Sequence, residues 1–162
     1  MCLYVCNSHG QTLDDNIVIT QCSDSYIFME EDGIPTVRNR KETSYEATRM
    51  GTALQPYTYY GEFISLDGAS AKGGGKAEYK SITPENVFFD DSKICFFNIN
   101  LDRKGKKTEV TFKRTFHDLH YFTRIYLGED YFIKTKQIII HHSAIPLPFP
   151  VDRKEFYSFY SL

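Results

Sequence analysis

Apolar and polar side chains alternate along several short stretches of the chain. Between residues 109 and 116, Val110 and Phe112 share one face, whereas Glu109, Thr111 and Lys113 share the other. Successive side chains of a β-strand point to opposite faces, so this period of two predicts a half-buried strand. The preceding glycine, Gly105, lies between this run and another apolar run and predicts a hairpin tip.

Similar segments recur throughout the sequence, separated by turn residues such as Asp32-Gly33 and Asp67-Gly68. The predicted strands cover residues 16–21, 24–30, 34–43, 57–66, 93–101, 109–116, 121–127 and 131–141. The run 93–101 is the most apolar, which is compatible with burial on both faces.

Helical signals are few. Residues 83–89 have a capping threonine and a proline at the first helical position, which predicts a turn or two of helix. Residues 44–55 stay ambiguous because of Gly51. We therefore predict an all-β, mainly antiparallel fold, a β-sandwich of about 8–10 strands with at most one or two short helical turns. One domain is expected over residues 1–142, followed by a Pro-rich extended segment and an aromatic tail over 143–162.

Composition supports a folded β domain and argues against two kinds of partner. The 162 residues are 15% aromatic without tryptophan, and aromatic residues favour pleated, half-buried surfaces. The formal charge of −2 and the single basic cluster, at residues 103–107, argue against nucleic acid binding, which requires a basic stripe. No stretch approaches the roughly 20 apolar residues of a membrane span. The first ten residues do not read as a secretory signal, and the localisation stays open.

Two ligand-binding patterns are incomplete. Residues 70–77 resemble a phosphate-binding loop, but Ser70 replaces its first glycine and Ala77 replaces the hydroxyl residue that would hold magnesium. We therefore interpret the segment as a glycine loop between strands and predict no nucleotide cofactor.

Metal ligands are also incompletely represented. Cys2, Cys6 and His9 lack the second ligand pair that a zinc site requires. His141 and His142 are neighbours on a predicted strand and therefore point to opposite faces. No metal site is predicted.

A thiol-dependent enzyme is the weakest alternative. Cys95 could be combined with His117 or His120, and Asp118 could orient the imidazole. Cys95 nevertheless lies among apolar residues, where burial raises the pKa of a thiol and leaves it inert. No catalytic residues are predicted.

Several aromatic residues are candidates for contact with a ligand or partner. They are Tyr57, Tyr59, Tyr60, Phe156, Tyr157, Phe159 and Tyr160. The four tail aromatics would form a contact surface, or the tail would add a strand to its own sheet. The tyrosines of 57–60, together with Phe63, could instead offer stacking platforms to a glycan or small ligand.

Four segments of the second half resemble one known family. They are DSKICFF (91–97), KTEVTF (107–112), FHDLHYFT (116–123) and YFIK (131–134). In this order they resemble a β-sandwich domain of unknown function that precedes the transglutaminase-like domain in many bacterial exported proteins. The resemblance runs from about residue 18 to 140 and contains no catalytic motif, so no functional residues carry over. The chain departs from the pattern, since it has neither an export signal nor a transglutaminase-like region.

Together these observations favour a non-enzymatic β-sandwich module that contacts a protein partner or a neighbouring domain. A glycan or small-ligand binding domain is the alternative. No cofactor is predicted.

Overall fold

The structure, a computed structural model, describes residues 15–73, 75–82, 92–122 and 124–142, together with the backbone of a strand at 156–160. Within these residues there are twelve strands and one short 3₁₀ helix, Leu119–Tyr121. The strands are β1 (Ile17–Glu31), β2 (Ile34–Ala47), β3 (Thr52–Leu54), β4 (Tyr57–Tyr60), β5 (Ile64–Lys72), β6 (Ala77–Ser81), β7 (Lys93–Phe97), β8 (Ile99–Leu101), β9 (Lys107–Phe116), β10 (Phe132–Ile133), β11 (Thr135–His142) and β12 (Phe156–Tyr160). No described residue belongs to a helix long and apolar enough to cross a bilayer.

One large sheet forms the first layer, in the order β12-β11-β1-β2-β9-β5. Its neighbours are antiparallel, except that β10 and β11 both pair with β1 in parallel. β1 and β2 are joined by the two-residue Asp32-Gly33 turn, where both residues have positive φ. A tight hairpin of this kind keeps the long strands in register along their whole length.

The second layer consists of a three-stranded sheet, β4-β7-β6, and a two-stranded sheet, β3-β8. Side chains of both layers meet in one buried cluster. Ile19 and Tyr45 come from the large sheet, and Cys95, Phe97 and Leu101 come from the small ones. Because two sheets bury their facing side chains against each other, the fold is a β-sandwich, and the predicted all-β class is confirmed.

A second buried cluster lies on the same face of the large sheet, toward the turn between β1 and β2. Its centre is Phe122, whose ring lies 5.2–5.5 Å from the rings of Tyr26, Phe28 and Phe116. Phe122 follows the 3₁₀ helix. The segment after β9 therefore covers the part of the large sheet that the small sheets leave open.

Buried polar side chains belong to this same face of the large sheet. Tyr26 Oη donates to Asp24 Oδ2 at 2.9 Å, and Asn39 Nδ2 donates to Asp24 Oδ1 at 2.6 Å. Arg114 Nη2 in turn donates to Asn39 Oδ1 at 2.9 Å. Each buried group gains a partner in place of water, which removes most of the cost of burying it.

The structure corrects several predicted strand boundaries. The predicted strands 16–21 and 24–30 merge into one strand, β1, which begins at Ile17 and is interrupted only by a bulge at Thr20. The predicted strand 57–66 divides at a turn where Gly61 N donates to Ile64 O at 2.9 Å. The apolar pattern of the sequence continues through a bulge or a tight turn. The pattern alone therefore does not show where one strand ends and the next begins.

The predicted strand at 121–127 is wrong. Its apolar side chains resemble a strand, but Phe122 and Ile125 pack individually onto the second cluster, and residues 124–129 form no strand. Asp118 starts the short helix instead, by accepting a hydrogen bond from His120 N at 2.9 Å. The predicted helical turns at 83–89 lie outside the described residues.

The ambiguous segment 44–55 is not helical. β2 continues to Ala47, a turn follows at Gly51 (φ 70°), and β3 begins at Thr52. The single strand predicted at 93–101 is also wrong, because β7 and β8 belong to different sheets, and burial on both faces is not reached. Cys95 and Phe97 are buried, whereas Ile94 and Phe96 are only half-buried.

Candidate interaction surface

Tyr57 and Tyr59 lie on the outer face of the small sheet. The intervening Thr58 is 7% exposed and points toward the core, whereas the two tyrosines are 46% and 50% exposed. This alternation follows from the pleat of β4, an edge strand with only β7 beside it. The sequence placed these two residues among the candidate contacts, and the structure brings them together.

The rings of Tyr57 and Tyr59 contact each other edge to face, with centroids 5.4 Å apart. The pKa of the Tyr57 phenol is raised, first by desolvation and then by the neighbouring Tyr59 and the Asp130 carboxylate. Tyr57 thus lies within electrostatic range of the segment that precedes β10. The pair is fixed by its own contact, so its rings lose little side-chain entropy when another surface covers them.

β7 extends this apolar surface. Phe96 is the cross-strand partner of Tyr57, and Ile94 is the partner of Tyr59. Directly opposite residues of an antiparallel pair point to the same face, so the four side chains form one surface, here called the tyrosine face. On its far side, the β6 residues paired with Phe96 and Ile94 are Glu78 and Lys80, which are exposed and charged.

The remaining aromatics of this region lie elsewhere. Tyr60 points inward, half-buried against the main core, and contacts Tyr79 edge to face at 6.4 Å. Phe63 occupies the turn after β4 and stacks on Tyr121 at 4.5 Å. The structure therefore divides the aromatic platforms that a glycan site would have combined.

The aromatic tail contributes a strand to the large sheet. The backbone of Phe156–Tyr160 pairs antiparallel with β11, in the register Thr135↔Tyr160 to Ile139↔Phe156. This is the arrangement in which the tail joins its own sheet. The side chains of Phe156, Tyr157, Phe159 and Tyr160 lie outside the described residues, so their role as contacts stays a prediction.

The thiol of Cys95 is buried, as the sequence predicts. Its side chain is 0% exposed in the main core, and desolvation raises its pKa. The other described cysteine, Cys22, is equally buried, and desolvation again raises its pKa. Because the thiolate is the nucleophile, both environments suppress the reactivity of the group.

The two histidines considered for catalysis have other partners. His117 Nε2 lies 3.0 Å from Ser65 Oγ, and Ser65 Oγ donates to Asp67 Oδ1 at 2.8 Å. His120 Nδ1 lies 2.6 Å from Asp118 Oδ1. No described contact joins either imidazole to Cys95.

The group formed by Ser65, His117 and Asp67 contains the residue types of a hydrolase triad in a different order. In a triad the imidazole lies between the acid and the hydroxyl, so that it takes the hydroxyl proton. Here the hydroxyl lies between the imidazole and the carboxylate, and its proton is directed to Asp67. The imidazole cannot act as the base for that proton in this arrangement.

Metal-binding chemistry is not assembled in the described part of the chain, where no cluster of three or more His, Cys, Asp or Glu side chains could hold an ion. Cys2, Cys6 and His9 lie outside the described residues. His141 is described on β11, next to His142, in strand geometry that separates adjacent side chains.

The fold and surface define the class: an all-β sandwich domain with an exposed tyrosine face. No protein-family model and no curated protein matches the chain.

Solved structures that share part of the architecture include an M1 zinc metallopeptidase from Deinococcus radiodurans (TM-score 0.47, 8% identity, covering 80% of this chain and 33% of that chain). A Legionella pneumophila protein whose proposed role is nutrient binding gives a TM-score of 0.47 at 6% identity, covering 77% of this chain and 50% of the other. Yeast LTA4 hydrolase gives a TM-score of 0.45 at 11% identity, covering 90% and 26%. The chain spans a third to a half of the first two proteins. At these scores and identities the likenesses carry no argument for function.

Proposed function

We propose that the chain is a non-enzymatic β-sandwich interaction domain that contacts a protein partner or a neighbouring domain through the tyrosine face. The observation that carries the proposal is the exposure of Tyr57 and Tyr59, at 46% and 50%, on one surface with Ile94 and Phe96. Burial of these exposed apolar side chains in an interface removes apolar surface from water, which favours binding.

Tyrosine is enriched at the centres of protein interfaces because its ring supplies apolar area and its hydroxyl finds a polar partner. The tyrosine face has the matching anatomy. Its centre is aromatic and aliphatic, and Glu78 and Lys80 give it a charged rim on the β6 side. A charged rim favours a specific, reversible contact over non-specific association.

The kind of partner follows from the sequence resemblance. We propose that the domain is of the type that accompanies transglutaminase-like domains, and that a neighbouring domain is one class of surface for the tyrosine face to contact. The activity of such a neighbour does not transfer to this chain.

The test replaces Tyr59 with the photo-crosslinking amino acid p-benzoylphenylalanine and irradiates cells that contain the protein. We expect a discrete heteromeric adduct, because the probe takes the place of an aromatic ring at the surface. The matched control carries the same probe at Lys113, an exposed position on the polar outer face of the large sheet. The proposal fails if position 59 gives no adduct, or the same adducts as position 113.

A further inference from the structure

The outer edge of β4 presents backbone groups that have no partner among the described residues. Phe97 N donates to Pro56 O at 3.1 Å, so residues 56 and 97 form a hydrogen-bonded pair. Such pairs alternate with non-bonded pairs along an antiparallel ladder. Thr58 and Tyr60 therefore point their backbone groups toward β7, whereas Tyr57 and Tyr59 point theirs away from it.

The hydrogen bonds between β7 and β6 lead to the same assignment of inward and outward residues on β4. Ile82 N donates to Ser92 O at 2.9 Å, which makes every second residue of β7 bond to β6. The backbone groups of Ile94 and Phe96 point toward β6. Their partners on β4, Tyr59 and Tyr57, therefore receive no backbone hydrogen bond from β7. Two N–H and two C=O groups consequently face outward, and no other described backbone group bonds to them.

This edge is closed at its C-terminal end. Gly61 has the same outward orientation as Tyr57 and Tyr59, but its N is already bonded to Ile64 O in the turn that leads to β5. The free edge, here called the β4 edge, therefore consists of Tyr57–Tyr60 and suits a short extended segment.

The β4 edge differs from the edges formed by β5 and β6. β5 is interrupted by a bulge between Leu66 and Gly68, and β6 carries Glu78 and Lys80. Bulges and edge charges are the devices by which proteins prevent an additional strand from pairing. β4 has neither within its four residues, and its side chains on the outer face are the two exposed tyrosines.

Acidic side chains flank the β4 edge. Asp130 lies within electrostatic range of the Tyr57 phenol, as does Lys41, whose charge is already paired with Glu129 at 2.6 Å. Glu62 follows the strand by two residues at its other end. Neither flanking carboxylate forms an ion pair with another described residue. Two unpaired carboxylates and two exposed aromatic rings favour an occupant that carries lysine or arginine.

We propose that the partner supplies an extended, basic peptide segment that pairs as a strand with the β4 edge, through the outward backbone groups of Tyr57 and Tyr59. The inference rests on the proposed interaction function and adds the chemical class of the partner. Main-chain hydrogen bonds give such strand addition its affinity, and the tyrosine face selects the side chains on one side of the added strand.

The test selects linear nine-residue peptides from a displayed library on the full chain and resynthesises the enriched sequences. We expect enrichment of Lys and Arg, and slower hydrogen exchange at the amides of Tyr57 and Tyr59 when peptide is bound. Methylation of alternate peptide nitrogens is expected to weaken binding by about tenfold or more, because each lost hydrogen bond costs roughly a factor of five to ten.

A variant gives an independent measurement. Tyr59→Pro removes one outward N–H from an edge strand, where proline is tolerated, and is expected to weaken peptide binding by about tenfold. Tyr59→Phe, which keeps the backbone amide and the ring, is the matched control and is expected to stay within about twofold. A thermal unfolding scan checks that both variants fold, and the exchange measurement on the unmodified chain does not depend on them.

Three outcomes would overturn the inference. One is binding that survives peptide methylation and Tyr59→Pro, which would mean a side-chain contact and would leave the proposed function standing. Another is protection at Ala77, Tyr79 and Ser81, the outward residues of β6, in place of β4. The third is the absence of enriched peptides, and in that case crosslinking from position 59 decides separately whether the interaction function holds.

Discussion

Glu129 is the residue whose replacement tests the architecture most directly. Its Oε1 atom accepts hydrogen bonds from Lys41 Nζ at 2.6 Å and from Lys136 Nζ at 3.0 Å. Lys136 Nζ also donates to Tyr126 O at 2.8 Å. Three side chains from β2, β11 and the segment before β10 are thereby joined, which attaches that segment to the large sheet.

The size of the effect follows from burial. The side chain of Lys136 is 6% exposed and that of Glu129 is 17% exposed, so Glu129→Gln leaves a buried ammonium without its counter-charge. Breaking a buried ion pair by removing one partner costs about 3–5 kcal/mol. Lys41 is 27% exposed and recovers water, and glutamine keeps one acceptor, so we expect a loss of about 2–3 kcal/mol.

The acid dependence of stability has a definite sign. Burial by itself would raise the pKa of Glu129, but the charges and hydrogen bonds of Lys41 and Lys136 outweigh it and hold the pKa below its ordinary value. A carboxyl whose folded pKa is depressed stabilises the fold above its unfolded pKa of about 4.3. That contribution disappears as the pH falls from there through the folded pKa, and Glu129→Gln is expected to lack this part of the acid dependence.

Urea unfolding at pH 7 and at steps down to pH 3 measures both effects. Glu42→Gln is the matched control, because Glu42 also accepts from a cation, Arg40, at 2.7 Å but with side chains 36% and 53% exposed. An exposed pair of this kind contributes about 0–1 kcal/mol. The reasoning is refuted if Glu129→Gln costs no more than Glu42→Gln, or if its stability falls with acid as steeply as that of the unmodified chain.

Three further predictions concern single positions. Thr36→Val is expected to raise the free energy of unfolding by about 1 kcal/mol, since the buried Thr36 hydroxyl has no hydrogen-bond partner among the described residues, and a decrease in urea midpoint would contradict this. Gly75→Ala would place a Cβ 2.6 Å from Asn98 O and is expected to cost about 1–3 kcal/mol, whereas Gly128→Ala, with nothing within 4 Å, serves as the neutral control in the same denaturation series. Cys95 is expected to react with a thiol reagent such as DTNB only at the rate of unfolding, and rapid labelling of the native chain would show that the buried environment is misjudged.

Where local chemistry alone decides the structure, the sequence is sufficient. The alternation through Val110 and Phe112 predicts both the strand and its inward face, and both residues are buried in β9. The turns at Asp32-Gly33 and Gly105 require positive φ, which glycine adopts readily, and they occur where expected. The predicted hairpin at Gly105 is wrong, however, because β8 pairs with β3 whereas β9 pairs with β2 and β5. The burial of Cys95 follows in the same way from its apolar neighbours.

The sequence was insufficient where a distant segment determines burial. Residues 93–101 are apolar enough for two covered faces, but no described layer covers Ile94 and Phe96, and part of the tyrosine face therefore escaped prediction. Residues 121–127 have a strand composition, yet Phe122 packs into an aromatic cluster formed by β1 and β9. Neither outcome is a property of the local sequence.

The sequence by itself determined that this chain folds as an all-β domain, because period-two alternation and turn chemistry act within a few residues. The tertiary structure decided which apolar residues stay exposed, which backbone edge stays unpaired and which charges meet. Glu129 shows why: its two lysines are 88 and 7 residues away in the chain, and only the packing of the strands brings the three groups together.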